Sequence, residues 1–268
     1  MKTEMKRIML VRSTGFPQDW VDEMQAHFPR VRFVVADDNE PSIHAGLEGI
    51  NALIGCPRPL FTVKLLEVTS QSLQWVHASG AGIEEFLFPE FVQGSVIFTN
   101  GKIIQGPEVS DHAVALLLVL ARGMHYLLRG KGPKPRPRPM ELREKTALVF
   151  GAGGIGILLA EKLKAFGMRV IAVDDDYLPM VSFIDEFYLT ERLIEHLPRA
   201  FAVLCCCPNT ERSRFVFNEQ AFRAMGRDAF FINVSRGQLV QTEALVKVLE
   251  EGHLKGVGLD VTDPEPLP

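Results

Sequence analysis

Four closely spaced glycines in the second half of the chain are the first residues whose pattern implies chemistry. The stretch consists of Gly151, Ala152, Gly153, Gly154, Ile155 and Gly156. Gly151 permits a tight turn, Gly153 leaves room for backbone to approach a pyrophosphate, and Gly156 lets the next helix pack closely on the preceding strand. The N-terminus of that helix would offer unpaired N–H groups and the positive end of its dipole to the phosphates. The stretch therefore predicts a dinucleotide-binding loop.

An acidic residue follows the loop at the distance expected for an adenosine ribose ligand. Asp174 ends the next apolar run, and Asp175 and Asp176 come directly after it. A carboxylate at this point accepts hydrogen bonds from the ribose hydroxyls of NAD. Three carboxylates together would repel the 2′-phosphate of NADP, so the sequence favours NAD over NADP as the cofactor.

The elements that must position these residues alternate between short apolar runs and helical stretches. This rhythm predicts an α/β protein with two Rossmann-like, doubly wound parallel-sheet domains, and helices Gln18–Phe28, Ile157–Phe166 and Glu243–Glu251 fit it. The predicted strands are Ile8–Val11, Val31–Val35, Ala52–Ile54, Gln74–His77, Val96–Phe98, Ala147–Phe150, Arg169–Val173, Ala202–Cys206, Ala229–Asn233 and Gly256–Asp260.

A long apolar helix is predicted over Val109–Leu128, with Ser110 or Asp111 as its N-cap. It is apolar almost all round, so we expect it to be buried, between domains or between subunits. Alternating prolines over Gly130–Pro139 exclude a helix or a central strand there. A basic docking arm and a solvated connecting loop both fit that segment, and we favour the loop.

Composition limits the classes of partner. The formal net charge is −4, so nothing indicates nucleic acid or an anionic membrane as a partner. The longest apolar stretch, Ala113–Ala121, is too short to span a bilayer. Cys205, Cys206 and Cys207 are consecutive, so their side chains alternate between the faces of a strand and cannot converge on one metal. With Cys56, they are interpreted as buried apolar residues of a cytoplasmic protein.

Several motifs in the right order resemble one family of enzymes. Asn233-Val234-Ser235-Arg236-Gly237, Gly258-Leu259-Asp260-Val261 and Glu265-Pro266 resemble segments of the D-isomer-specific 2-hydroxyacid dehydrogenases. This family includes glyoxylate/hydroxypyruvate reductases, D-lactate dehydrogenases and phosphoglycerate dehydrogenases. The resemblance extends from about Leu73 to the last residue, and the first seventy residues match only in general pattern.

The resemblance implies a two-domain oxidoreductase that transfers a hydride between NAD(H) and a 2-oxo or 2-hydroxy acid. Residues 1–105 would form a flavodoxin-like substrate domain, and residues 106–268 would form the NAD-binding Rossmann domain. The active site would lie in the cleft between the two domains. The long apolar helix near Val109–Leu128 predicts a homodimer, formed through the cofactor domains.

Individual positions carry implied roles in this reaction. Arg236 matches the arginine that holds the substrate carboxylate and polarises its carbonyl. Ala81 and Gly82 match the loop whose N–H groups meet that carboxylate, and Glu265 matches the acid that pairs with a catalytic histidine. Residues matching the surroundings of the nicotinamide ring are Cys207, Pro208, Val234, Ser235 and Asp260.

Taken alone, Arg236 and Glu265 would each fit a surface residue, but at the family's spacing they favour the site. His112 is interpreted as a hydrogen-bonded residue near the start of the apolar helix. His77 and His253 match no catalytic position.

The sequence departs from the family in one important respect. The family's catalytic histidine follows the Glu265 position after another strand, and none of the seven histidines of this chain lies there. We expect the cofactor domain to be incomplete at its C-terminal end, with an apolar sheet edge exposed. Either the chain is a fragment of a longer reading frame, which we favour, or it is a naturally shortened homologue. A smaller departure is Glu144, which stands where the family usually has glycine.

Two functions therefore remain open. The first is a dehydrogenase, impaired in this chain for want of the histidine. The second is a non-catalytic NAD-binding regulator, similar to the corepressors built on the same fold. A formate dehydrogenase-like member has less support, because the extra active-site asparagine of that group has no clear counterpart. The coding sequence after Pro268 would discriminate the first two, since a Pro-His after one more strand indicates the enzyme and a stop codon favours the regulator.

Overall fold

The computed structural model describes residues 5–12, 17–102, 104–130, 132–133, 138–176 and 181–267. Of the proline-rich segment, residues 131 and 134–137 lie outside the described residues. The chain divides into two compact units, Met1–Lys102 and Ile103–Pro268.

The first unit is a five-stranded parallel sheet with helices between the strands. Its strand order is β2-β1-β3-β4-β5, the order of flavodoxin-like folds. Buried apolar side chains such as Met9, Leu53 and Val76 form its core. The helices are α1 Gln18–His27, α2 Glu40–Gly46, α3 Val63–Thr69 and α4 Pro89–Val92, and the strands are β1 Lys6–Arg12, β2 Val31–Asp37, β3 Ala52–Ile54, β4 Trp75–Ala78 and β5 Ile97–Asn100.

The second unit is a six-stranded parallel sheet in the order β11-β10-β9-β6-β7-β8. In chain order this is the 3-2-1-4-5-6 arrangement of dinucleotide-binding domains, which confirms the predicted fold class. Its strands are β6 Thr146–Phe150, β7 Arg169–Asp174, β8 Glu186–Leu189, β9 Ala202–Cys205, β10 Phe230–Asn233 and β11 Gly256–Leu259. Its helices are α5 Gly106–Ala121, α6 Met124–Leu128, α7 Gly154–Ala165, α8 Leu193–His196, α9 Glu219–Ala224 and α10 Thr242–Glu250.

Apolar cores cover both faces of this sheet, as a buried parallel sheet requires. Phe150 and Cys205 lie in the cluster on one face, whereas Val149 and Leu204 lie in the cluster on the other. Cys206 packs against the second cluster, so consecutive cysteines do point to opposite faces. Cys56 and Cys205 are buried free thiols, which confirms their interpretation as apolar core residues.

The prediction of one helix over Val109–Leu128 was wrong. The chain forms α5 and then α6, because Gly123 adopts a left-handed conformation with φ of 65° between them. The N-cap prediction was also wrong, since α5 begins at Gly106 and Ser110 lies inside it, its hydroxyl donating to the Pro107 carbonyl oxygen at 2.9 Å.

Burial of α5 within the second unit is one-sided. Ala113, Val114, Leu117 and Ala121 are buried. Leu116 and Val119 are only partly covered within the chain.

Strand β8 was not predicted from the sequence. Its first residue, Glu186, accepts hydrogen bonds from Arg169 on β7 and from Arg199 before β9. Charged partners that are distant in the chain therefore help to hold an edge strand whose own apolar pattern is weak. Across the described ranges, the structure contains no helix long and apolar enough to cross a membrane.

Candidate functional site

The glycine loop lies between β6 and α7, where close backbone packing excludes side chains. Gly151 has a φ of 93°, and a Cβ there would lie 2.5 Å from the Cys207 nitrogen. A Cβ on Gly156 would overlap the Gly151 carbonyl oxygen. Both glycines are therefore needed for the turn itself and for the approach of α7 to the sheet.

Gly153 differs from these two glycines. A Cβ at Gly153 would meet no heavy atom within 4 Å, although its φ of −72° suits any residue. The missing side chain thus leaves open space directly in front of the first turn of α7, where Gly154 and Ile155 carry N–H groups without helical partners. This cradle fits the pyrophosphate of a dinucleotide.

Asp174, the last residue of β7, lies beside the same loop. Its Oδ2 accepts a hydrogen bond from the Ala152 N–H at 2.6 Å, and its Oδ1 accepts one from the Asp176 N–H at 3.1 Å. The carboxylate is therefore held against the loop by backbone donors. It borders a cavity of about 230 Å³ lined by Phe150, Gly151, Asp174, Asp175, Asp176, Thr190, Cys207, Pro208, Thr210, Arg212 and Ser213.

Cys207 and Pro208 form the wall of this cavity that follows β9. Burial raises the pKa of Cys207 well above its ordinary range, with smaller contributions from Cys206 and Asp174. The thiol therefore stays protonated at neutral pH and is not a nucleophile. The Ser213 hydroxyl donates to the Pro208 carbonyl oxygen at 2.8 Å and holds this wall in place.

A buried amide organises the loop after β10. Asn233 is fully buried, its Nδ2 donates to the Arg236 carbonyl oxygen at 2.9 Å, and its Oδ1 accepts from both the Ser235 N–H and the Ser235 hydroxyl at 3.0 Å. Val234 and Ser235 are buried as a result, whereas Arg236 is half-buried. The Arg236 Nη1 donates to the Ser235 carbonyl oxygen at 2.7 Å. A Cβ on Gly237 would overlap the Thr262 carbonyl, which explains the glycine after Arg236.

Asp260 and Glu265 follow β11 and have different surroundings. The Asp260 N–H donates to the Asn233 carbonyl oxygen at 3.0 Å, which anchors Asp260 beside the loop after β10. Its Oδ1 lies 3.2 Å from the Nε2 of His112 on α5. Glu265 is exposed to solvent.

Ala81 and Gly82 lie in the first unit, on the loop after β4. The Asn100 Nδ2 donates to the Ala81 carbonyl oxygen at 2.6 Å, and the Arg58 Nη2 donates to the Gly82 carbonyl oxygen at 3.1 Å. Both contacts use carbonyl groups. Within the part of the chain that the structure describes, the N–H groups of Ala81 and Gly82 donate to no protein acceptor.

The second unit thus gathers most of the candidate residues at one end of its sheet. The carboxyl ends of β6, β7, β9, β10 and β11 carry Gly151, Gly153, Gly154, Ile155, Gly156, Asp174, Cys207, Pro208, Val234, Ser235, Arg236 and Asp260. Among the described side chains, no group of three or more His, Cys, Asp or Glu is arranged to hold a metal ion.

Sequence reasoning missed two residues of this region. From the sequence, Asn233 has no assigned role beyond its place in a motif. A polar residue at the end of an apolar strand is nevertheless a signal that its side chain forms hydrogen bonds within the following loop. His112 was interpreted as a local helix-start residue, whereas its ring contacts a candidate cofactor residue from another element.

Comparison with known proteins agrees with this geometry. The sequence profile described as D-isomer specific 2-hydroxyacid dehydrogenase, NAD binding domain, matches residues 113–268. The chain is 31% identical over 204 residues to the protein named "Uncharacterized protein in proB 3'region" of Corynebacterium melassecola, an alignment covering 74% of this chain and 66% of that protein. It is 29% identical over 212 residues to a glyoxylate reductase of Thermofilum pendens, covering 74% of this chain and 60% of the reductase. The matches thus span less than two thirds of both relatives.

A solved structure shares the fold. A D-isomer specific 2-hydroxyacid dehydrogenase from Xanthobacter autotrophicus, determined in complex with NADPH and MES, superposes with a TM-score of 0.78 at 23% identity, covering 99% of this chain and 83% of that one. Because the family profile matches more than half of the 268 residues, the chain belongs to the D-isomer specific 2-hydroxyacid dehydrogenases, a family of NAD-dependent oxidoreductases.

Proposed function

We propose that this chain binds NAD(H) at the carboxyl end of its six-stranded sheet and belongs to an enzyme that interconverts a 2-oxo acid and a 2-hydroxy acid. The observation that carries the proposal is the open cradle at Gly153. Asp174 and the loop that Asn233 organises lie at the same carboxyl end of the sheet. When bound, the nicotinamide would supply or accept the hydride. The chain's own residues bind and orient the reactants.

The cofactor we propose is NAD rather than NADP. Asp174, Asp175 and Asp176 line the cavity beside the loop, and a 2′-phosphate there would meet three carboxylates. Arg212 is the one cation among the residues that line this cavity, and its side chain is exposed to solvent. A single solvent-exposed arginine offsets little of the repulsion between three carboxylates and a 2′-phosphate. The local charge therefore favours a ribose with free hydroxyls, as in NAD.

Arg236 is the residue we propose to bind the substrate. Its guanidinium can donate two parallel hydrogen bonds to a carboxylate and stabilise charge developing on the neighbouring carbonyl oxygen. We also propose Ala81 and Gly82 as substrate-binding residues, because their N–H groups donate to no protein acceptor within the described residues. The relatives named glyoxylate reductase suggest small 2-oxo acids such as glyoxylate or hydroxypyruvate.

Binding of a 2-oxo acid can be tested without turnover. The NADH-loaded chain should bind oxamate, an unreactive 2-oxo acid analogue, about tenfold more weakly after Arg236→Lys, because the two-pronged contact is lost. Arg214→Lys is the matched control, since Arg214 is an exposed arginine that lies over the ring of Phe215. Equal oxamate affinity in the wild type and Arg236→Lys would contradict the assignment.

Proton transfer is the step for which the chain supplies least. Glu265 is proposed to pair with the catalytic histidine of the family, but none of the seven histidines follows Glu265 in these 268 residues. We therefore propose that the 268-residue polypeptide binds NADH and reduces glyoxylate or hydroxypyruvate very slowly. A turnover of about 10 per second, ordinary for an enzyme, in a spectrophotometric assay of NADH oxidation would contradict this.

A non-catalytic NAD-binding regulator is the second candidate function. Sequencing the gene beyond the codon for Pro268 discriminates the two candidates. A histidine after a further strand supports the dehydrogenase, and an immediate stop codon supports the regulator.

Assembly and location complete the proposal. We propose a homodimer formed through α5 and α6, because Met124, Leu127 and Leu128 are 44%, 54% and 79% exposed beside the partly covered face of α5. Light scattering should give a mass near twice 29.9 kDa.

We also propose a cytoplasmic location, with no nucleic acid or membrane partner, which the free thiols and the net charge of −4 support.

A further inference from the structure

His112 and Asp260 form an ion pair that links α5 to the end of β11. The His112 Nε2 lies 3.2 Å from the Asp260 Oδ1, and the two side chains are 49% and 47% exposed. Both groups can therefore exchange protons with solvent, and each changes the electrostatic potential felt by the other. Histidine, as a residue type, can be neutral or cationic near physiological pH.

The position of Asp260 makes this charge relevant to the cofactor. Its N–H is anchored to the Asn233 carbonyl oxygen at 3.0 Å, at the carboxyl end of β10 and β11. A dinucleotide lies across the point at which the strand order reverses, with one nucleotide on each half of the sheet. Asp174, the proposed ligand of the adenosine ribose, lies on the half formed by β6, β7 and β8. The nicotinamide nucleotide would then lie on the other half of the sheet, which includes β11 and therefore Asp260.

The oxidised and reduced nicotinamides differ in charge. The ring of NAD⁺ is cationic, whereas the ring of NADH is neutral. An ionised Asp260 favours the cationic ring, and a protonated His112 cancels that preference. We propose that protonation of His112 lowers the affinity of the chain for NAD⁺ relative to NADH, which makes the choice between the two redox forms dependent on pH.

The remaining charged groups near His112 do not perform this role. Asp111, its neighbour on α5, pairs with Lys162 of α7 at 2.7 Å. Glu108 lies one turn earlier on α5 and is exposed. Arg236, on the loop after β10, donates to the Ser235 carbonyl oxygen. The His112 ring, in contrast, contacts the Asp260 carboxylate directly.

The proposal is tested by measuring dissociation constants for NAD⁺ and NADH from pH 5.5 to 8.5 by calorimetry. In the wild type, the ratio of the NAD⁺ to the NADH constant should fall about fivefold as the pH rises, a modest effect because both side chains are half in water. In His112→Gln, which can still donate to Asp260 without carrying charge, the ratio should be constant and close to the wild-type value at pH 8.5.

Two further variants make the result specific. Asp260→Asn should raise the ratio about fivefold at pH 8.5, because the carboxylate that favours NAD⁺ is gone. His44→Gln is the matched control, since His44 forms a similar pair with Glu40 at 3.8 Å in the first unit. It should leave the pH dependence of the ratio unchanged.

The outcomes separate this inference from the proposed function on which it rests. Binding of both cofactors with a pH-independent ratio in the wild type, or an unchanged pH dependence in His112→Gln, overturns the role of His112 and leaves NAD binding intact. Failure to bind either cofactor at any pH overturns both. A pH dependence that vanishes only in His112→Gln, while His44→Gln behaves as wild type, supports the proposal.

Discussion

The two ends of the six-stranded sheet use their polar residues in opposite ways. At the amino ends of the strands, charged side chains pair with one another. Glu186 accepts from Arg169 and Arg199, and the Lys164 and Asp185 side chains pair at 2.5 Å. These contacts connect the start of β8 to β7, to the segment before β9 and to the end of α7, and they stabilise the sheet.

At the carboxyl ends, the polar groups either hold loops or face open space. The Asn233 side chain is used entirely within its own loop, whereas the cradle in front of Gly153 is open. Asp260 and His112 are half-exposed. The comparison teaches that residues paired across the amino ends maintain the fold, and that residues at the carboxyl ends are available for a ligand.

The largest expected effect separates two glycines of the loop. Gly153→Ala should leave the melting temperature unchanged and weaken NADH binding on the order of 100-fold, because the methyl group would occupy the proposed pyrophosphate position. Gly156→Ala should instead destabilise the fold by about 3 kcal/mol, because its Cβ would overlap backbone. Calorimetry with NADH and thermal melting distinguish them. Tight NADH binding by Gly153→Ala would remove the central support for the cradle.

Asn233→Ala tests the loop after β10. The change leaves a buried N–H, a hydroxyl and a carbonyl without partners, so we expect a loss of about 2 kcal/mol in the free energy of unfolding. Urea titration measures it, with Ser235→Ala as a control that removes only the hydroxyl contact. If Asn233→Ala loses no more stability than Ser235→Ala, the amide does not organise the loop.

Glu186→Gln tests the amino ends and their dependence on pH. Hydrogen bonds from Arg199 and then Tyr188 lower the pKa of Glu186 from 4.5 to about 2. A carboxyl whose pKa is lowered by folding stabilises the protein above its unfolded pKa, and this contribution disappears as the pH falls towards the folded value. Glu186→Gln should therefore cost about 1 kcal/mol at pH 7, after allowing for solvent around its partners.

The difference between wild type and Glu186→Gln should vanish between about pH 5 and pH 2. Glu195→Gln, which removes an exposed pair with Arg192, is the control and should change stability little at any pH. A constant difference across this range would contradict the account of Glu186.

The smallest expected effect is at Glu144, in the turn before β6. Its φ of 63° is a conformation that costs a residue with a Cβ roughly 1–2 kcal/mol and costs glycine little. Glu144→Gly should raise the free energy of unfolding by about 1 kcal/mol. Glu141→Gly, in the same loop without a positive φ, should lower it. A free energy of unfolding for Glu144→Gly at or below the wild-type value in chemical denaturation would show that the strain is not at Glu144.

The sequence predicts a feature of the amino or carboxyl ends of the six-stranded sheet when its contacts join residues that are close together in the chain. The glycine loop and Asp174 were predictable because adjacent residues determine the turn, the helix start and the strand end. Strand β8 was not, because it depends on Arg169 of β7 and on Arg199 in the segment before β9. The pairing of His112 with Asp260 was hidden for the same reason, since helix periodicity says nothing about a residue that follows β11. The break at Gly123 was missed because the apolar pattern continues across it.

The most direct test of NAD binding at the carboxyl ends is a calorimetric titration of the 268-residue chain with NADH and with NADPH. We predict saturable binding of one NADH per chain, at least about tenfold tighter than NADPH, which corresponds to about 1.4 kcal/mol. Asp174→Ser should reduce the ratio of the NADH affinity to the NADPH affinity. Tighter binding of NADPH, or no saturable binding of either cofactor, would contradict the account.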